Sequence, residues 1–215
     1  MDTSDNDEVA ILVGEKNTRF CFKKETLCAC SSFFESAFKR GFREATEQEV
    51  RLPDHNDKAF DIIARWLSDR DMSRFEDLEW SLLCAIFVLV DYLAISSLEE
   101  PLLDVLRSKR HESRKVPVSY VQFVYDNTHF GSPLRRLWVN WVVDLQAPEI
   151  FESEEWKFPI EFLRELAAAQ MGDRGRIIKE LKDASQTIGM RSPAALEPAE
   201  WVKSFEEPSR RLHGL

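Results

Sequence analysis

The 215-residue sequence predicts an α+β domain, a small β-sheet beside a helical cluster, followed by an all-helical C-terminal extension. Three observations predict it. Apolar residues alternate with period two near the N-terminus, the period lengthens to that of a helix from Lys24 onward, and after Pro117 every apolar pattern is helical.

The first element is "EVAILVG". Val9, Ile11 and Val13 fall on one face and Gly14 turns the chain, so a strand with one buried side is expected. "TRFCFK" repeats the alternation through Phe20 and Phe22, and the two runs read as a β-hairpin. Past Lys24, Leu27 leads through Cys28 and Cys30 to Ser31 and Ser32, residues suited to N-capping. Phe33, Phe34, Ala37 and Phe38 follow at helical spacing, and Gly41 is expected to close that helix. "EVRLPD" reads as a short third strand ended by Pro53. Between Asp57 and Leu67, Phe60, Ile63 and Leu67 make one stripe with Ile62 and Trp66 beside it, an amphipathic helix. Leu78 to Leu93 is apolar almost all round, which marks a helix enclosed by protein, and Leu98 to Leu106 reads as a shorter amphipathic one.

Beyond Pro117, Tyr120, Phe123 and Val124 form one helical stripe. Leu134, Leu137, Trp138 and Trp141 form another after the break at Gly131-Ser132-Pro133. A further break at Pro148 precedes "FESEEWKFP", and helices resume at Ile160 to Met171 and Ile177 to Ile188. The tail from Ser192 holds three prolines in a polar setting and is expected to be loose; Trp201 and Phe205, four apart, read as a weak self-contact.

Charge and cysteine usage narrow the function classes. The formal net charge is −9 and the pI about 5.1, so the chain repels phosphate backbones unless a basic face is segregated. The strongest basic run, Arg107 to Lys115, reads as a solvated helix end whose cations suit the C-terminal dipole; no nucleic acid is expected as a partner. The N-terminus lacks the apolar core of a signal peptide. The longest apolar run, Leu82 to Val90, falls far short of the ~20 residues of a membrane span. An intracellular protein, cytoplasmic or nuclear, with no membrane partner is therefore expected. Cys21, Cys28, Cys30 and Cys84 are expected as reduced thiols.

Chemistry-bearing motifs are scarce. Cys28 and Cys30 in "CAC" lack a second Cys or His pair at zinc spacing, because His55, His111, His129 and His213 are scattered singly, so the thiols read as core. No G-x-S-x-G, H-E-x-x-H, P-loop or G-x-G-x-x-G occurs. Glu154-Glu155 beside Trp156 reads as a solvated acidic loop, and His129 as a loop or capping residue. Neither catalytic residues nor a metal nor a cofactor is expected, and the reading is a non-enzyme. A cryptic enzyme would need a deep polar pocket with converging titratable groups between Tyr120 and Met171. A nucleic-acid role would need the Arg107 to Lys115 run to join Arg135 and Arg136 on one face.

These residues together resemble a BTB/POZ domain of the fungal branch. The pattern runs Val13-Gly14, Phe20, the pair Lys23-Lys24, Leu27-Cys28, Ser31, Phe33-Phe34 and Phe38. It continues through "GFREATEQEVRLPD", Phe60 with "WLSD", and "LVDYLAISSLEE", in which Asp91 is the acidic residue of the family's helix end. Lys23 stands where the family usually has His, and Glu8 where it usually has Asp. The resemblance implies a BTB/POZ domain over 5–110. "VYDNTHFGSPLRRLWV" is similar to the helical extension of many fungal members, here expected over 111–190, with a flexible tail over 191–215.

The resemblance also implies a function, protein–protein interaction. In cullin-binding BTB adaptors a hydrophobic-x-Glu triplet in the loop before the third core strand contacts the cullin, and Phe42-Arg43-Glu44 is that triplet here. An apolar anchor beside one charge suits a hot spot, because the aromatic excludes water from the ion pair. The expected role is a substrate adaptor for a cullin-type ubiquitin ligase, with an unidentified substrate on the C-terminal helices. A scaffold or oligomerisation protein without a ubiquitin role is the alternative. Dimeric relatives begin with an extra helix and strand that are swapped across the two-fold axis. Only a few polar residues precede Val9 here, so a homodimer of that kind is not expected, although another symmetric contact stays open.

Overall fold

The computed structural model describes residues 8–39, 42–145, 149–152 and 157–172. The chain divides into two compact units, Met1–Ala167 and Ala168–Leu215. Only 168–172 of the second are described. Gly41, Pro148, Glu154-Glu155, the Ile177 to Ile188 pattern and the tail with Trp201 and Phe205 lie outside the described residues.

The sheet has three strands in the order β2-β1-β3. β1 (Glu8–Val13) pairs antiparallel with β2 (Thr18–Lys23), Glu8 opposite Lys23 and Val13 opposite Thr18. Gly14, at φ +74°, makes the hairpin turn, and its carbonyl accepts from the Asn17 N–H at 3.0 Å. That φ lies where a side chain is strained, which is why the "VG" step carries a glycine. β3 (Glu49–Leu52) runs parallel to β1, Val13 opposite Leu52. The expectation of one buried face on β1 is corrected: every residue from Val9 to Val13 is buried, Ala10 and Leu12 as well as the alternating three. β1 is the middle strand, paired on both edges, and it is covered on both faces, so it is apolar without interruption. β2 keeps the alternation, with Phe20 and Phe22 turned to Phe60 at ring distances of 4.8 and 6.1 Å.

The crossover consists of α1 (Lys24–Cys30), α2 (Ser32–Ala37) and α3 (Arg43–Glu47). α2 ends at Ala37, four residues before the glycine expected to close it. α4 (Asp57–Asp69) is capped by Asn56, whose Oδ1 accepts from the Ala59 N–H at 3.0 Å, and it buries the expected Phe60, Ile63, Trp66 and Leu67. α5 (Trp80–Tyr92) is the enclosed helix, burying Leu83, Cys84, Ile86, Phe87, Leu89 and Val90. α6 (Ser96–Ser113) runs well past Leu106. Its apolar stripe ends there, but Arg107 pairs with Glu100 and Asp104 at 2.8 and 2.6 Å and continues the helix with polar residues of good propensity. The basic run is thus the solvated end of α6.

Among the described residues, four further helices follow: α7 (Val121–Asn127), α8 (Pro133–Leu145), α9 (Glu149–Glu152) and α10 (160–172). α8 buries its full predicted stripe. α7 does not: a 3-10 turn at Val118–Tyr120 takes up Tyr120 and rotates the helix, so that Val121, Val124 and Tyr125 face inward while Phe123 is exposed. α8 packs on the domain through tryptophans. Trp138 and Trp141 lie 6.4 and 5.9 Å from Trp80 at the start of α5, and the Trp138 indole N–H donates to the Pro117 carbonyl at 3.2 Å.

Candidate interaction groove

Phe42, the first residue of the predicted triplet, is the N-cap of α3 in extended conformation, and its ring is 57% exposed. Arg43 and Glu44 occupy the first turn of α3 rather than a loop, and Glu44 is half-buried. Gln48, at φ +53°, ends the helix and delivers the chain to β3. The triplet stands at the rim of an open groove of about 780 Å³. One wall is α2, through Phe33, Ser36 and Ala37. The end of α5 also lines it, through Tyr92 and the following Ala94, and β3 with Pro53 completes the lining.

The aromatic wall is braced from behind. Tyr92 is 51% exposed, yet its ring packs on Phe33 at 5.3 Å and on His55 at 4.5 Å. Half-burial holds the His55 pKa below its usual value against the opposing effect of Asp54, so the imidazole meets Tyr92 as a neutral ring. The rim is charged with both signs. Glu49 is held by Arg51 at 2.8 Å and Arg19 at 3.6 Å, and Arg43 lies 3.3 Å from Glu47. Exposed aromatics within a mixed polar rim are the composition of a protein-interaction surface.

The remaining signature residues are scaffold. Val13, Leu27, Phe34 and Phe38 are buried, and Phe20 is half-buried against Phe60. A Cβ on Gly14 would stand 3.4 Å from the His55 carbonyl, so the glycine serves the β3–α4 loop as well as the hairpin. Ser31 is 2% exposed; its Oγ accepts from the Phe34 N–H at 3.1 Å as the N-cap of α2 and donates to the Leu93 carbonyl at 2.5 Å. Asp91 makes a polar contact, 3.4 Å from His129 Nδ1 in the loop between α7 and α8. Lys23 and Glu8, the two departures from the family pattern, are exposed at the end of the β1–β2 ladder; the Lys23 side chain makes no cap to α1.

The reading of "CAC" as core is corrected in part. Only Leu27 of α1 is buried; Cys28 and Cys30 are half-exposed on its flank, and Cys30 Sγ donates to the Thr26 carbonyl at 2.6 Å. The core thiol is Cys84 on α5, pushed up to about 12 by burial and so inert as a nucleophile near neutrality. Among the described residues no three His, Cys, Asp or Glu side chains cluster to hold a metal, and no helix is long and apolar enough to cross a membrane.

In the extension, the titratable groups converge in a packed bolt. Tyr125 Oη donates to Glu165 Oε2 at 2.8 Å. The Arg135 guanidinium lies 4.4 Å from the Tyr125 ring centre and donates to Thr128 Oγ1 at 3.0 Å, to the Tyr125 carbonyl at 2.8 Å and to the Thr128 carbonyl. Arg135 is buried, with Nη1 3.7 Å from Glu165, so it does not join Arg136 and the α6 cations on an exposed basic face. Sequence periodicity missed this bolt, and it missed Tyr92, which reads as the last turn of an apolar helix.

Comparison with known proteins places the first part of this molecule. Residues 2–105 match the family model described as BTB/POZ domain. No curated protein matches the chain. Among solved structures it is similar to the BTB domain of zebrafish PATZ1, at 22% identity over 46% of this chain and 75% of that chain, with a TM-score of 0.37. BTB/POZ domains are non-enzymatic modules that mediate protein interaction and dimerisation. On the family match and the sheet-and-helix architecture together, residues 2–105 of this chain are a BTB/POZ domain.

Proposed function

We propose that the groove at Phe42 and Glu44 engages a cullin scaffold, and that the chain acts as a substrate adaptor in a cullin-type ubiquitin ligase. The observation that supports this reading most is the exposed Phe42 at the head of α3, which with Glu44 lines a groove that the exposed Tyr92 lines as well. An aromatic that stays exposed on a folded surface, rimmed by charge, is the anchor of a hot spot. In this proposal the BTB/POZ domain, over 5–110, is the scaffold-facing part. The helices over 111–190, which are similar to those of fungal members, present the substrate, and 191–215 is a tail.

Titration of the purified chain with the N-terminal domain of the BTB-binding cullin tests the reading. Micromolar or tighter binding that the Phe42→Ala/Glu44→Ala variant loses is the expected result. A folded chain that does not bind overturns the adaptor reading and leaves a scaffold or oligomerisation module.

A further inference from the structure

The two walls of the groove are joined by one buried hydroxyl. α2 begins at Ser32 and needs an acceptor for its first free N–H groups, while α5 ends at Tyr92 and leaves carbonyls without helical partners. At the end of α5, the Leu89, Val90 and Asp91 carbonyls are taken by the N–H groups of Leu93, Ile95 and Ala94 at 2.9, 3.0 and 3.0 Å. The Leu93 carbonyl is taken by Ser31 Oγ at 2.5 Å, the same oxygen that accepts from Phe34. A single hydroxyl therefore caps the start of α2 and the end of α5, across 62 residues of sequence, in a site 2% exposed. Next to it on one side is Phe33 and on the other Tyr92, the ring pair that lines the groove. Ala94, the residue after Leu93, also lines it and holds φ at +50°, so the backbone of that corner is bent sharply where the hydroxyl pins it.

We infer that Ser31 is a positioning residue of the groove: its hydroxyl ties the start of α2 to the end of α5 and so holds Phe33 and Tyr92 in contact, in the geometry a partner recognises. This rests on the groove being the partner-binding surface, and it adds which buried atom holds the groove's ring pair together. An alanine at 31 leaves the Phe34 N–H and the Leu93 carbonyl buried without each other's bridge, and the two walls are then free to shift independently. Threonine keeps the oxygen, and its preferred backbone matches the extended φ −139° and ψ 116° of this position.

The test compares Ser31→Ala, Ser31→Thr and Val124→Ala, the last a deletion of two buried methyl groups on α7 that lowers stability away from the groove. Two readouts are taken on each folded variant: the Phe33–Tyr92 ring-to-ring nuclear Overhauser effect, and affinity for the cullin N-terminal domain. Expected are loss of the ring contact and at least ~10-fold weaker binding in Ser31→Ala. Both should be retained in Ser31→Thr and Val124→Ala, the affinity to within about 3-fold, against the decade (about 1.4 kcal/mol) lost in Ser31→Ala. If Ser31→Ala keeps the ring contact, the inference is overturned whatever binds. If the wild type does not bind the cullin domain, the adaptor reading fails, and the ring contact alone decides for or against Ser31. Equal weakening in Ser31→Ala and Val124→Ala reduces Ser31 to a stability residue and also overturns it.

Discussion

α5 carries an aromatic residue at each end, and the two ends have opposite fates. At its start, Trp80 is half-buried in a cluster with Trp138 and Trp141 from α8, and Lys109 and Arg110 of α6 cover two of those rings. At its finish, Tyr92 is 51% exposed, braced by Phe33 and His55 but not covered. One helix thus closes the BTB/POZ domain against its own extension at one end and presents a surface at the other. The difference teaches where stability and recognition are separated in this fold: aromatic area sealed inside the chain stabilises it, and aromatic area braced but left open is available to a partner.

The largest effect on stability is expected at the sealed end. Trp138 is fully buried and donates its indole N–H to Pro117, so Trp138→Ala loses both packing and a hydrogen bond. A cost of about 3–5 kcal/mol is expected, the usual range for a large aromatic removed from a core. Urea unfolding of the full chain measures it. A cost near that of a surface substitution would show that α8 is not essential to the fold of the domain.

A smaller effect is expected at the bolt of Tyr125, Arg135 and Glu165. Burial and the hydrogen bond to Glu165 raise the Tyr125 pKa above its ordinary value near 10. The native state then holds this proton more tightly than the unfolded chain does. Its contribution is complete below pH ~10 and is lost as pH rises above that, at up to about 1.4 kcal/mol per pH unit. Urea midpoints from pH 8 to 11 should fall more steeply for the wild type than for Tyr125→Phe, which carries no titrating group there. Parallel slopes would place the hydroxyl in water, away from Glu165.

Much of this was readable from the residues, for a physical reason. Strand and helix are local periodicities, so β1, β2, β3, α4, α5 and the buried face of α8 follow from the spacing of apolar side chains. Both covered faces of β1 were harder, since they depend on a parallel partner that arrives only after three helices. The inward turn of Tyr125 depends on a 3-10 turn that no apolar spacing announces. The groove was half legible: Phe42 and Glu44 stood out as a triplet, while Tyr92 and the Ser31–Leu93 bond join segments 62 residues apart and exist only after folding. The burial of Arg135 was not legible, because two of its three acceptors are main-chain carbonyls, which every residue has.

The smallest effect on stability is expected at the open end, and it is the most informative about function. Phe42 caps α3 with its backbone alone, no side-chain hydrogen bond holds the cap, and the ring is 57% exposed. Phe42→Ala removes little buried area, so the unfolding free energy should change by no more than about 0.5 kcal/mol, the range of surface substitutions. Retained stability alongside lost partner binding would make Phe42 a residue kept for contact. A cost above about 2 kcal/mol would instead make it a core-edge residue, since burial of a full aromatic side chain is worth that much. In that case the asymmetry between the ends of α5 would not extend to α3, and Tyr92 alone would carry the open surface.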